Sequence, residues 1–259
     1  MSSDVNEAFE PSGRRVIPVQ TAYAPTHSCS PAVRMRVLSR TPLFAGLDAE
    51  ALREIDARMV NFHTAAGDDI HRQGEPARYF HVLAAGRLKA VRSSADGQRV
   101  VVDLLGSGDA FGGIDTFGRT EYGETVTALT STCMLRIDAE GFHRILRAFP
   151  SVALRLIDDL SAQLIETREA MTQRSTAVTQ RVAATLLRLA EKFGEPAEGG
   201  ILIQMPLTRA DLAGLTGSTP ESVSRAMSRM RRAGLVESGR RWTRIIDAAG
   251  LAAAASADD

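Results

Sequence analysis

Glu221, Ser224 and Arg225 stand three and four residues apart within LTRADLAGLTGSTPESVSRAMSRMRR, which runs from Leu207 to Arg232. In a helix that spacing puts all three on one face, with Val223 and Met227 turned inward. A carboxylate can accept from a cytosine amino group, and a guanidinium can grip guanine O6 and N7 with two hydrogen bonds. A serine can contact a base or its sugar-phosphate. The same residues also fit an i, i+4 ion pair on a solvated helix, worth about a few tenths of a kcal/mol. Spacing alone divides these readings evenly. The surroundings tip the balance: Arg225, Arg229, Arg231, Arg232, Arg240, Arg241 and Arg244 face only Glu221 and Glu237 over residues 221–244. Phosphate is the natural partner of such a run. Whole-chain charge hides this asymmetry, because 31 basic and 31 acidic residues cancel.

These side chains need a helix-turn-helix to position them. Thr208 is a good N-cap with Asp211 placed to return the bond, and Leu212, Ala213 and Leu215 give an apolar face. Gly217 ends that helix. Thr219 caps the next, Pro220 sits where its missing N–H costs nothing, Val223, Met227 and Met230 line the inner face, and Gly234 stops it. In such a pair the N-terminal residues of the second helix meet base edges in the major groove. LVESGRRWTRII then reads as two short strands about a Ser238-Gly239 turn, a wing from which Arg240 and Arg241 project toward the DNA backbone while Trp242 packs it. Thr208, Arg209, Thr219 and Arg229 complete the expected phosphate contacts.

A chain of 259 residues with 44% hydrophobic content suits two cores. Nothing in it is long and apolar enough to span a bilayer, and the N-terminus lacks the apolar core of an export signal, so the cytoplasm is expected. Two cysteines, Cys29 and Cys133, do not indicate a disulfide scaffold. P-loop, kinase, HExxH and G-x-S-x-G signatures are missing, which argues against an enzyme. The expected fold is α+β. Residues 1–32 read as a flexible arm, 33–148 as a β-roll sensor, 149–176 as a dimerisation helix, 177–250 as a winged helix-turn-helix and 251–259 as a tail. Order is expected from Val33. Asp48 introduces a helix that buries Leu52, Ile55 and Met59, short glycine-punctuated strands fill Val60 to Ile137, and Asp96-Gly97 is the clearest hairpin turn. From Pro150, Ala153, Ile157, Leu160, Leu164, Thr167 and Met171 alternate steps of four and three as a heptad seam. Val152, Leu156 and Ile165 lie off it and could pack on the roll. A two-fold dimer sets two recognition helices roughly 34 Å apart, so its target is palindromic.

The chain resembles the bacterial regulators grouped with the cyclic-AMP receptor protein and the fumarate-nitrate reduction regulator. TQRVAATLLRLA (Thr179 to Ala190), PLTRADLAGLTG, ESVSR and the β-roll segment GEPARYFHVLAAGRLKAV carry the match, which extends from about Val33 to Ile246. The resemblance implies a double-stranded β-roll of the cyclic-nucleotide-binding type and a homodimer bound to a double-stranded palindrome. It also implies RNA polymerase as a further partner. Family members that read TTGAT-type half-sites use Glu, Ser and Arg at these spacings, whereas those preferring TGTGA usually carry Arg before the Glu. Here that place is Pro220, so the resemblance implies a TTGA-containing site. It further implies a sensor that alters the angle between dimer helix and DNA heads, hinged near Arg174 to Ala177.

The effector stays open. Cyclic-AMP-binding relatives hold the phosphate with an FGE motif followed by Arg-Ser, but this chain has Phe111, Gly112 and Gly113, then Glu121, Tyr122 and Gly123. Both charged anchors are missing, which argues against cyclic AMP, although a non-standard pocket could use Gly112, Gly113, Arg119 and Thr167. A family iron–sulfur cluster takes four cysteines, more than this chain holds. Haem or another metal could use His27 with Cys29, or His63, His71 and His81. Cys133, within the last roll strand, reads as a small hydrophobe. A regulatory module that docks on protein rather than DNA is the alternative of a different class.

Overall fold

The computed structural model describes residues 29–94, 99–113, 121–172 and 176–256. His27, Asp96-Gly97, Arg119 and Arg174 lie outside these residues. Helix α1 (Pro31–Arg40) starts two residues before the expected onset of order, because Ser30 caps it and Pro31 occupies its first turn. A 3-10 turn (Pro42–Phe44) leads to α2 (Ala49–Ala57), whose N-cap Asp48 accepts from the N–H groups of Glu50 and Ala51. Leu52 and Ile55 of α2, with Met59 beyond it, are buried as the spacing predicts.

Eight strands build the roll: β1 (Val60–Thr64), β2 (Asp69–His71), β3 (Tyr79–Ala85), β4 (Leu88–Ser93), β5 (Arg99–Leu105), β6 (Ala110–Gly112), β7 (Thr125–Ala128) and β8 (Thr132–Asp138). They form two four-stranded antiparallel sheets, ordered β1-β8-β3-β6 and β2-β7-β4-β5. Alternate residues of both sheets meet inside, with Leu83, Leu88, Leu105, Val126 and Met134 as the filling. On the outer side Phe80, Val82, Leu135 and Ile137 pack with Leu38, Phe44, Ile55 and Phe142. Phe142 belongs to α3 (Ala139–Ala148), capped by Asp138, a helix that sequence reading left inside the roll.

Helix α4 (Pro150–Thr172) follows the heptad segment. Val152 is buried and Leu156 packs on the roll, but Ile165 does not: it is 56% exposed, as are Leu154, Ile157, Leu160 and Leu164 to similar degrees. The roll reaches only the first turns of α4, so Ile157, Leu160, Leu164 and Ile165 beyond them face outward. Helix α5 (Val178–Phe193) then opens the C-terminal unit, followed by a hairpin of β9 (Gly194–Ala197) and β10 (Gly200–Gln204). Next come α6 (Arg209–Thr216), α7 (Pro220–Arg232), β11 (Val236–Gly239), β12 (Trp242–Ile245) and α8 (Ala248–Ser256). The last four strands form one sheet, ordered β11-β12-β10-β9. Residues expected as a tail from 251 instead continue α8, which buries Leu251 as it packs against α5.

Candidate nucleic-acid interface and sensor sites

Local chemistry builds the helix-turn-helix. The Thr208 hydroxyl accepts from the Asp211 N–H at 3.0 Å while the Asp211 carboxylate accepts from the Thr208 N–H at 2.9 Å, closing the capping box of α6. Gly217 ends α6 in the left-handed region at φ 56°, where glycine has no Cβ to clash. Thr219 then accepts from the Ser222 N–H, with Pro220 at the first position of α7. Val223, Ala226, Met227 and Met230 are buried, which fixes how far α7 can rotate.

Glu221 and Arg225 consequently stand exposed on the outer face, with Ser224 half-buried beside them. The Glu221 carboxyl is held below its usual range, first by its own backbone N–H at the helix start, then by Thr219 and Arg225. Arg225 donates to the Ser222 hydroxyl at 3.2 Å, and Ser224 donates to the Pro220 carbonyl at 2.8 Å, leaving its hydroxyl oxygen as an acceptor. Arg225 and Ser224 line a groove with Val178, Arg229 and Arg232. Other expected phosphate contacts have partners within the chain. Arg229 is bonded to Thr179, the Thr208 hydroxyl donates to Asp211, and Arg209 donates to Ser238 at 3.1 Å. Burial lowers the Arg209 pKa, helped by the neighbouring Arg231. Thr219 is spent on its cap.

The wing differs in its turn. Ser238 and Gly239 belong to β11, paired with Thr243 and Trp242, and the two residues at the tip are Arg240 and Arg241. Gly239 is glycine because of a neighbour, since a Cβ there would lie 2.4 Å from the Trp242 indole nitrogen. Trp242 thus packs the wing as expected, and Arg241 takes the left-handed turn itself at φ 71°. Both arginines are exposed.

Inside the roll, the proposed effector glycines are structural neighbours of β3. A Cβ on Gly112 would meet the Tyr79 carbonyl at 2.5 Å, and one on Gly113 the Ala77 Cβ at 2.4 Å. Thr167 is exposed on α4 and donates to the Gln163 carbonyl at 2.7 Å. His71 and His81, named in the sequence as candidate ligands with His63, sit beside these glycines among aromatic rings that the sequence did not point to. His71 stacks on Tyr122 with ring centroids 3.7 Å apart, and His81 stacks on Phe111 at 4.9 Å. The Arg136 guanidinium lies over both Phe62 and Tyr79. Both ring nitrogens of His71 and Nδ1 of His81 are buried without a hydrogen-bond partner among the described residues. Burial drives the His71 pKa down to about 4 and that of His81 to about 3, so both rings are neutral near pH 7. At the rim, Arg72 is paired with Asp69 at 2.9 Å and Glu75 stands nearby.

Cys29 and Cys133 also come together: their sulfurs are joined in a disulfide, with His63 alongside. Cys133 is therefore more than a buried hydrophobe, and the sequence separation of 104 explains why no local pattern reveals the pairing.

The DNA-binding unit rests on the roll. Lys89 on β4 donates to Asp211 on α6 at 2.8 Å, and Lys192 pairs with Asp109 at 2.8 Å. Burial pushes the Asp211 carboxyl up, but hydrogen bonds from Lys89 and Thr208 outweigh it and leave the group below its usual range. Val91, Val101 and Leu104 of the roll share one core with Val182, Leu212 and Val223.

Among known proteins, residues 62–149 match the family model of the cyclic nucleotide-binding domain and residues 180–254 that of the Crp-like helix-turn-helix domain. The chain is 28% identical over 203 residues to the cyclic AMP receptor protein of Thermus thermophilus, covering 77% of this chain and 89% of that one. It is 24% identical over 193 residues to the CRP-like cAMP-activated global transcriptional regulator of Mycobacterium tuberculosis, covering 74% and 86%. In structure it shares the fold of FixK2 from Bradyrhizobium japonicum, with a TM-score of 0.67, 21% identity and coverage of 78% and 99%. With both domain families matched in this order, and the exposed face of α7 inside the second, the chain belongs to the CRP/FNR family of DNA-binding transcriptional regulators.

Proposed function

We propose that the protein binds a TTGA-containing palindrome as a homodimer, with Glu221, Ser224 and Arg225 reading base edges and Arg240 and Arg241 meeting phosphate from the wing tip. The observation that carries this reading is the exposed pair Glu221 and Arg225 on one face of α7, whose opposite face is locked by Val223 and Met227. Leu154, Ile157, Leu160, Leu164 and Ile165 on α4 are the apolar stripe through which two chains associate. Promoter-bound dimers then contact RNA polymerase in the cytoplasm.

Control runs through the roll. Two relatives are named for cyclic AMP, but this chain lacks the charged cassette and carries neutral imidazoles among aromatic rings, with ring nitrogens that find no partner among the described residues. A ligand other than a cyclic phosphate suits that lining, and it acts by shifting how the DNA heads are held. Anisotropy of a labelled TTGA palindrome against a scrambled duplex, at rising salt, tests the reading. Expected are preference for the palindrome and a log–log salt slope of about −0.9 per phosphate neutralised. No preference at low salt would sink it, and binding to protein with no duplex binding would favour the docking alternative.

A further inference from the structure

Cys133 on β8 and His63 on β1 are direct partners in the antiparallel register. Opposed residues project from the same face of a sheet, so thiol and imidazole rise side by side. Cys29, immediately before the Ser30 cap of α1, lies over that face, and its Cα is 6.6 Å from that of Cys133. One ligand atom from each of the three residues falls within 4.8 Å of the other two. Cys133 is fully buried, Cys29 nearly so, and His63 is exposed, marking the side from which an ion enters.

We infer that the reduced chain holds one thiophilic d10 cation of the Zn2+ class between Cys29, His63 and Cys133. Two thiolates and an imidazole are the donor set such ions prefer. A tetrahedral ion with Zn–S near 2.3 Å and Zn–N near 2.0 Å spaces these ligands by roughly 3.5–3.8 Å, inside the 4.8 Å within which the three ligand atoms lie, once the bonded sulfurs part. The fourth position is left for water or an added ligand. Occupancy ties residue 29 to β8 without a covalent bond, and it is exclusive with the disulfide because both states use the same sulfurs. Reduction by a water-soluble phosphine breaks the S–S bond: water supplies the oxygen of the phosphine oxide and the two protons of the thiols. Zn2+ then displaces the two thiol protons. The site stands independently of the DNA-binding reading.

Full-length protein, reduced with phosphine and kept free of oxygen, is titrated with Co2+ as the coloured stand-in for Zn2+. Expected are one Co2+ per chain, thiolate-to-cobalt absorption in the near ultraviolet, strong tetrahedral ligand-field bands, and stoichiometric displacement by Zn2+. Cys29→Ser should abolish the tetrahedral bands. His63→Ala, on the exposed rim, should keep thiolate absorption but weaken affinity by about tenfold or more. Both variants leave the buried Cys133 in place, and circular dichroism checks their fold. Absence of cobalt–thiolate absorption in the reduced wild type overturns the proposal, as does an affinity unchanged by His63→Ala.

Discussion

In the proposed reading Arg225 meets base edges and Arg240 meets phosphate, and removing each separates base reading from phosphate attraction. Arg225→Ala should cost about 1–3 kcal/mol per half-site and relax the preference for guanine, whereas Arg240→Ala should weaken every sequence alike and flatten the salt slope by about 1 per site. Competition between palindromes mutated base by base distinguishes them; equal loss on all sequences for Arg225→Ala would demote it to a phosphate contact. Within the roll, the buried histidines set a dependence on pH. Burial dominates both; beyond it, Glu75 and Asp69 favour the charged form of His71, while His71 and then Arg136 disfavour that of His81. Unfolded, each ring titrates near 6.5, so below that pH the unfolded chain binds more protons than the folded one. Stability is therefore full above about pH 6.5 and falls as the pH drops toward 4 and then 3, by on the order of 3 kcal/mol per histidine. Urea midpoints measured across that window should show the fall, and His81→Phe should flatten it; an unchanged slope would mean that His81 is protonated in place.

At the scale of elements, α4 offers the clearest test, because its seam is apolar and half exposed. Leu160 and Leu164 are 52% and 51% exposed, so replacing both with Glu should change the stability of a single chain by about 0.5 kcal/mol or less per site. In the proposed dimer the same changes put four carboxylates between two copies of α4. Sedimentation equilibrium should find the Leu160→Glu, Leu164→Glu chain monomeric, and a dimer of wild-type affinity would move the interface elsewhere. Elements with local punctuation were legible in the sequence: Thr208, Gly217, Thr219, Pro220 and Gly234 mark α6 and α7 by capping chemistry that needs no distant partner. The wing turn was misplaced because Gly239 looks like a turn residue but serves the Trp242 indole. Helix α8 escaped notice because its alanine run has no polar face to give a period. The disulfide joins the start of α1 to β8, and His71 and His81 come from strands of different sheets, meetings of distant segments that no local spacing encodes.

For the whole molecule, the roll and the DNA-binding unit meet through one packed contact. Gly214 sits inside α6 where a Cβ would stand 2.7 Å from the Val101 backbone nitrogen on β5, and Lys89 holds Asp211 three residues earlier on the same helix. The first helix of the DNA head is thus held by the sensor both through packing and through charge. Gly214→Ala separates this docking from local preference by sign. Helix propensity alone favours alanine over glycine by about 1 kcal/mol. Docking on β5 opposes it, because the added methyl meets backbone that can yield only by moving the two units apart. The full chain should accordingly lose stability on Gly214→Ala, and Lys89→Met should cost about 1–2 kcal/mol by leaving Asp211 mostly buried without its cation. Since both changes open one interface, the double variant should lose less than the sum. Chemical denaturation of the three variants decides the matter: a Gly214→Ala chain stabilised by about 1 kcal/mol would show that α6 is free of the roll.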